Sequence, residues 1–226
     1  NLIGSGDNTV EIALYQGDWT YEMGYEGVPD GVPVIGQNVL SQIKDIDHVE
    51  NASLYLSRQD YDGVYYLNTA LSGGYVIGVD QNYFNTCNYM IRKGRGFTEK
   101  DYKDYHKVAL LDSDSADVLF QGEDPLGKTI EIHKEPYTVI GIVTKSKEFE
   151  PVINSIDDYY TYAQDTAGSI YIPNTTWPII YQYDEPQNIV IKAENTDYMK
   201  TVGKDVKSIA NDLLSVGKSS DIKYKA

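Results

Sequence analysis

Apolar and polar positions alternate, or recur at helical intervals, along most of the chain. Glu11–Gln16 reads as a strand with Ile12 and Leu14 on one side, after the polar run Gly4-Ser5-Gly6-Asp7-Asn8. A Gly- and Pro-bearing loop follows through Gly17–Gly31. Pro33 suits a helix first turn, and Ile35, Val39, Ile43 and Ile46 then fall at steps of four, four and three, on one face of a helix ending near Asp47. A second strand is expected over Val49–Arg58. The run Val64–Leu71, the turn Ser72-Gly73-Gly74 and the run Tyr75–Val79 predict a β-hairpin whose glycines supply positive φ angles.

The end of the chain repeats the theme. Ile189–Ala193 reads as a strand, Thr196 as a helix cap, and Met199, Val202, Val206, Ile209 and Leu213 as the apolar stripe of a helix stopped by Gly217, before a last strand with Ile222 and Tyr224. Two β-α-β units at opposite ends share one sheet only if the middle is an insertion, so the expected class is α+β, with a split, ferredoxin-like arrangement. The expected subdomains are residues 1–90 with 177–226, and an inserted, β-rich 91–176. In that middle, Val108–Leu111 is a buried strand and Asp112 or Ser113 caps a helix to Phe120. Ile130–His133 and Tyr137–Val143 form a hairpin, and Ile170–Ile172 is a strand stopped by Pro173. The pattern lapses over Lys145–Gly168, an acidic, Tyr-rich stretch whose length predicts an exposed, mobile, partner-facing excursion. No tandem repeat or low-complexity tract is present.

At 226 residues the chain is long enough for a large core without disulfide staples. Its net charge of −15 repels phosphate backbones, which argues against nucleic acid as a partner. The charge is uneven: residues 192–226 carry +2 and residues 1–191 carry −17, a distribution that suits a membrane-proximal C-terminal end. The longest apolar runs fall far short of the roughly 20 residues of a spanning helix. The chain opens on Asn1 without a signal-peptide pattern, and the expectation is a fragment of a larger protein. Twenty-one tyrosines against four phenylalanines give an aromatic surface with polar tips, favouring an exterior protein.

Candidate chemistry is sparse. His48, His106 and His133 lie in three segments without a metal-ligand spacing, and Cys87 is alone with no base placed beside it. Asp112, Asp114 and Asp117 lack the glycine and the terminal glutamate of a calcium loop and read as helix-cap acids. Gly94-Arg95-Gly96 and Gly127-Lys128-Thr129 lack the remaining elements of phosphate-binding loops and read as turns. Carboxylates abound, but nothing selects an acid pair. The expectation is therefore no catalytic residue, no metal site and no cofactor, with Tyr159, Tyr160 and Tyr162, beside Asp157 and Asp158, as the partner-binding candidates.

An ordered set of segments carries a family resemblance: Gly78-Val79-Asp80, Tyr83-Phe84, Gly94-Arg95-Gly96-Phe97-Thr98 with Asp101, Val108-Ala109-Leu110-Leu111, Ala116, Leu119-Phe120, Asp124-Pro125-Leu126-Gly127-Lys128-Thr129-Ile130 and Tyr137-Thr138-Val139-Ile140-Gly141-Ile142-Val143. In order and spacing these resemble the MacB-like core domain of ABC transporter permeases, of the FtsX/MacB-type superfamily. The resemblance implies a porter-type α/β subdomain around a β-rich insertion, placed outside the membrane between the first two spanning helices of an efflux-type permease. It also implies a separate ATPase domain or subunit, a second permease copy, an accessory protein or exported substrate as partner, and no enzyme activity in this chain. Little Arg with abundant Asn, Lys, Asp and Tyr points to a low-GC Gram-positive source and an extracellular face, or a periplasmic one otherwise. The alternatives are a secreted Tyr-rich sugar- or protein-binding module and a hydrolase with an unrecognised acid pair. Apolar stretches flanking both ends would favour the permease. Glu11–Gln16 and Ile189–Ala193 must pair in one sheet for both amphipathic helices to bury their apolar faces on it, which is expected to bring the two chain ends side by side.

Overall fold

Period-two runs become strands and period-3.6 runs become helices in this order: β1 (Thr9–Gln16), β2 (Trp19–Thr20), α1 (Met23–Glu26), α2 (Gln37–Lys44), β3 (Val49–Asp60), β4 (Val64–Tyr66), β5 (Thr69–Ala70), β6 (Gly74–Val79), α3 (Tyr83–Thr86), β7 (Tyr89–Gly94), α4 (Glu99–Lys103), β8 (Val108–Leu111), α5 (Ser113–Phe120), β9 (Thr129–Ile132), β10 (Glu135–Lys145), β11 (Ser169–Pro173), α6 (Trp177–Ile180), β12 (Asn188–Ala193), α7 (Met199–Asp212) and β13 (Ile222–Lys225). The structure, a computed structural model, describes residues 8–146, 168–217 and 220–226. The expected partner-facing excursion falls, apart from its two ends, outside the described residues.

The strands join in the order β13-β1-β12-β3-β6-β11-β8-β10-β9-β4-β5, with β2 beside β1 and β7 beside β10. Pairing is parallel for β6 with β11 and β8 with β10, and antiparallel elsewhere. This mixed sheet with helices is the α+β class the patterning predicts. The required pairing of the two chain ends is present: Thr9 faces Lys192 and Ile12 faces Ile189. Beyond Ile12 the neighbours of β1 change, to β13 on one side and β2 on the other. Since Ala13 faces Lys225 and Gln16 faces Ile222, the chain leaves β13 heading toward the end at which it enters β1.

Helices α2 and α7 cover one face of β1, β12 and β3. Leu40 and Ile43, with Val202, Val206 and Ala210, pack against Val10, Ile12, Leu14, Leu54, Ile189 and Ile191 in one core. A second core gathers β8, β9, β10 and β11 around α5, with Trp177 at its side. A third lies on the opposite face of β3 and β6, where Tyr55 and Val79 meet Tyr83, Cys87 and Tyr171. Among the described residues no helix is long and apolar enough to cross a membrane.

Several local expectations are corrected. Helix α2 starts at Gln37, so Pro33 and Ile35 precede it: the Ile35 N–H donates to Gln187 Oε1 at 2.8 Å and its carbonyl accepts from Gln187 Nε2 at 3.2 Å, which ties both backbone groups to the loop before β12. The hairpin expected between the runs 64–71 and 75–79 does not form. The turn Leu67-Asn68 folds β4 onto β5 within the first run, and β6 pairs instead with β3 and β11. The reason is the length of β3, which continues to Asp60 and offers β6 an antiparallel partner over Tyr55–Asp60. Asn195, not Thr196, caps the last helical segment by accepting from the Asp197 N–H at 3.0 Å, and α7 ends at Asp212, after which Ser215 donates to the Gly31 carbonyl at 2.8 Å. The Asp112 cap of α5 and the β9–β10 hairpin are as expected.

Candidate functional site

The change of neighbours along β1 opens a cleft. Where β1 turns from β12 to β2, the segment Thr20–Met23 separates from β3, and a gap of about 410 Å³ is left between them. Alternation along β3 and β6 points Tyr55, Ser57, Gln59, Tyr75 and Ile77 into it, with Tyr83 of α3 behind, while Glu11, Ala13 and Tyr21 line the other wall. Tyr55 is buried, and its phenol pKa is raised well above the ordinary value by that burial and by the Glu11 carboxylate, to which it hydrogen bonds. Tyr21 shifts the same way through burial and Glu26. Both phenols therefore stay neutral and hold an acceptor beside them. On the β1 side the cleft is lined by Glu11, Ala13 and Leu14, level with Tyr224 and Lys225 at the end of β13. A wider concavity of about 640 Å³ sits at the β4–β5 turn, lined by exposed groups such as Leu67, Asn68 and Lys134.

Behind the cleft a buried polar network fastens the crossover between β11 and β12. Arg58 Nη2 reaches Glu185 at 2.5 Å, Trp177 Nε1 donates to the same carboxylate at 2.9 Å, and the guanidinium lies 4.9 Å from the Tyr181 ring centroid. Burial raises the Glu185 carboxyl despite these partners. Tyr181 Oη donates to Asp60 at 2.5 Å, His133 Nε2 meets the same carboxylate, and the Gly63 N–H donates at 2.8 Å. Burial works to raise the Asp60 carboxyl, but the Tyr181 and His133 hydrogen bonds and the Gly63 N–H outweigh it and hold it below the ordinary value.

The histidines, which show no ligand spacing in the sequence, are each paired with carboxylate in the fold: His133 with Asp60, His48 with Glu194 at 3.0 Å while stacked on Tyr198, and His106 with Asp101 at 3.0 Å and, more loosely, Asp104 at 3.9 Å. These partners lie in separate segments, apart from those of His106, so local spacing could not reveal most of them. Among the described residues no three His, Cys, Asp or Glu gather as a metal ion would require. Cys87 is buried beside Tyr83. Asp112 turns its oxygens to the N–H groups of Ser115 and Ser169, both at 2.9 Å, which explains that acid as a cap that also fixes the start of β11. Arg95, between the two glycines of the false phosphate loop, binds Asp101 at 2.7 Å. Gly94 has φ +77° and lies where a Cβ would come within 2.7 Å of Gly141 Cα, so this glycine lets β7 cross β10 closely. Asp80, also in the resemblance motif, accepts from Ser53 Oγ at 2.7 Å and from the Leu54 N–H at 2.8 Å, continuing the β6 ladder beyond Val79 with a side chain. Tyr159, Tyr160 and Tyr162 lie outside the described residues.

Comparison with known proteins agrees with this architecture. The profile of the MacB-like periplasmic core domain matches residues 1–209. An uncharacterized ABC transporter permease of Bacillus subtilis, YvrN, is 28% identical over 220 residues, covering 97% of this chain and 50% of that protein. The macrolide export ATP-binding/permease protein MacB of Neisseria gonorrhoeae is 40% identical over 82 residues, which are 36% of this chain and 13% of that protein. The chain thus spans about half the length of the first relative and matches a smaller part of the second. Among solved structures, the extracellular domain of the transporter YknZ from Gram-positive bacteria superposes with a TM-score of 0.65 at 17% identity, covering 96% of this chain and 98% of that one. The periplasmic region of MacB from Actinobacillus actinomycetemcomitans gives 0.60 at 19% identity, covering 99% and 91%. With a profile spanning nearly the whole sequence and a fold that pairs the two chain ends in one sheet, the chain belongs to the MacB-like periplasmic core domain family of ABC transporter permeases.

Proposed function

We propose that the chain is the part of an export-type permease that stands on the outer side of the cell membrane, engages exported substrate or an accessory protein, and moves with the ATP-driven cycle of flanking spanning helices. The reading rests on one observation above all. The first and last described strands are hydrogen-bonded neighbours, and the chain enters and leaves at the same end of the sheet, as a domain set between two adjacent spanning helices requires. Force arriving through either helix then reaches the same core, because that core draws on residues 10–54 and 189–224 together. On this reading residues 1–90 with 177–226 form the unit attached to the membrane and 91–176 the unit carried on it. ATP hydrolysis belongs to a separate domain or subunit, and a second permease copy completes the transporter. A family of permease domains, rather than of secreted binding modules, supports this over the alternative.

The test is made on the full-length permease with its ATPase in lipid nanodiscs. A spin label at Lys204→Cys, on the exposed side of α7, reports the distance between the two permease copies, with the native Cys87 buried out of reach. The distance distribution is expected to shift between nucleotide-free and ATP-trapped states. Identical distributions in both states would sink the coupling.

A further inference from the structure

We propose that β3 is a hinge between two halves of the molecule, with the cleft at the joint and two buried carboxylates, Asp80 and Glu185, as the catches that hold its angle. The first core draws on residues 10–54 and 189–224, and the second on residues 56–177. The chain therefore passes between these cores twice, along β3 at Tyr55 and through the segment before β12. Strand β3 changes neighbours at the same place. It pairs with β12 over Val49–Tyr55 and with β6 over Tyr55–Asp60, so the two ladders share Tyr55 alone. The third core bridges the joint thinly, since its buried members from the first half are Tyr55 and Val190. A bend at Tyr55 moves the cleft walls relative to each other: Tyr21 and Met23 pack against the first core, whereas Ser57, Gln59 and Ile77 stand on strands of the second half.

On each flank of β3 a side-chain carboxylate takes over where the ladder stops. Beyond Val79, Asp80 accepts from the Leu54 N–H at 2.8 Å and Ser53 Oγ at 2.7 Å across the joint, and from the Asn82 N–H at 2.9 Å in its own half. Ahead of Asn188, Glu185 accepts from Arg58 at 2.5 Å and from Trp177 Nε1 at 2.9 Å. Gly24 of α1 passes over that guanidinium, where an added Cβ would stand 3.0 Å from Nη1, so the same arginine supports the cleft wall. Burial raises both carboxyls despite their hydrogen bonds, and Arg58 Nε is buried without a hydrogen-bond partner among the described residues. Such groups fix one setting of a joint at a cost in stability that an apolar contact would not carry. The hinge rests on the permease reading only for the force that works it, and it moves the start of the carried unit from residue 91 back to residue 56.

The 226-residue chain alone, without nucleotide or membrane, tests the hinge apart from the transport reading. Spin labels at Lys204→Cys on α7 and Asp117→Cys on α5, both exposed positions, report the distance between the halves while Cys87 stays buried. The parent is expected to give one narrow distribution, and the paired variant Asp80→Asn with Glu185→Gln a broader one with a second population. Asp60→Asn is the control. Its partners His133, Tyr181 and Gly63 all lie on the side of the second core, so it should lower the melting temperature and leave the distribution as in the parent. If the paired variant does not fold, amide exchange in the parent decides. Leu54, whose N–H is held by Asp80, should exchange at least about tenfold faster than Ile191 and Ile172 in the two cores, because the joint opens while the cores stay closed. An unchanged distribution in the folded paired variant, equal broadening by Asp60→Asn, or equal exchange at the three amides would each overturn the hinge.

Discussion

At the scale of single residues, the most telling contacts are those a side chain makes far along the sequence. Gly78 lies where an added Cβ would stand 2.8 Å from Cε3 of Trp177, an indole that is fully buried and fixed by Glu185. Gly78→Ala should therefore destabilise the fold by about 2 kcal/mol through overpacking, read as a lower midpoint in urea. Asp60 makes a pH-dependent contribution. Its carboxyl is held below the ordinary value in the fold, so folding binds fewer protons than the unfolded chain does in the acid range. That stability is present above about pH 4, the unfolded carboxyl range, and is lost as pH falls through the folded value. The parent's advantage over Asp60→Asn should accordingly be largest near neutrality and shrink in acid, as measured by denaturation midpoints across pH. Asp101, lowered further by Arg95, Thr98 and His106 against the opposing effect of burial, shifts in the same sense. The sequence carries no sign of the Asp60 cluster, because residues 60, 133 and 181 meet only once β3, the β9–β10 turn and α6 are assembled.

At the scale of elements, α7 is held by its apolar stripe and not by its ends. Val206 is fully buried against the β1 and β12 strands, whereas Lys204 faces solvent. Val206→Ala should cost about 2 kcal/mol, and Lys204→Ala next to nothing, by thermal or urea unfolding. That stripe is legible in the sequence, as are β1 and the β9–β10 hairpin, because in each one face is buried and the other is not, which leaves a clean period. Central strand β12 has Ile189, Val190 and Ile191 all buried, and its short apolar run fixed it equally well. Legibility failed where partner choice is non-local. Val64–Leu71 and Tyr75–Val79 look like two arms of a hairpin, yet which strand lies beside β6 is decided by β3 and β11 across the sheet. The cleft is illegible for a related reason: it exists because β1 changes neighbours midway, and its lining comes from β1, Thr20–Met23, β3, β6, Tyr83 and the loop before β12, which no local spacing ties together.

At the scale of the whole molecule, the last strand joins the chain end to the core. The family profile stops at residue 209, but Tyr224 is buried in the same core as Ile12 and Val206, and its backbone is clasped by Asn211, whose side chain accepts from the Tyr224 N–H at 2.7 Å and donates to its carbonyl at 3.0 Å. A frayed terminus would show neither feature. If β13 is instead the segment through which a following helix pulls on the domain, its attachment must be stronger than a surface contact. Tyr224→Ala should then destabilise the whole fold by about 3 kcal/mol, as removal of a buried aromatic ring does, and not merely loosen the last five residues. Tyr224→Phe separates packing from hydrogen bonding. The Tyr224 hydroxyl is buried without a hydrogen-bond partner among the described residues, so its removal should leave stability unchanged or slightly raised. Amide exchange gives the spatial readout: in the parent, the amides of Tyr15 in β1 and Tyr224 in β13 should exchange as slowly as those of Ile12 and Ile191, because opening either strand exposes the common core. Rapid exchange of Tyr224 alone, with Tyr224→Ala melting like the parent, would make β13 a loose tail and remove it from any path between membrane helix and sheet.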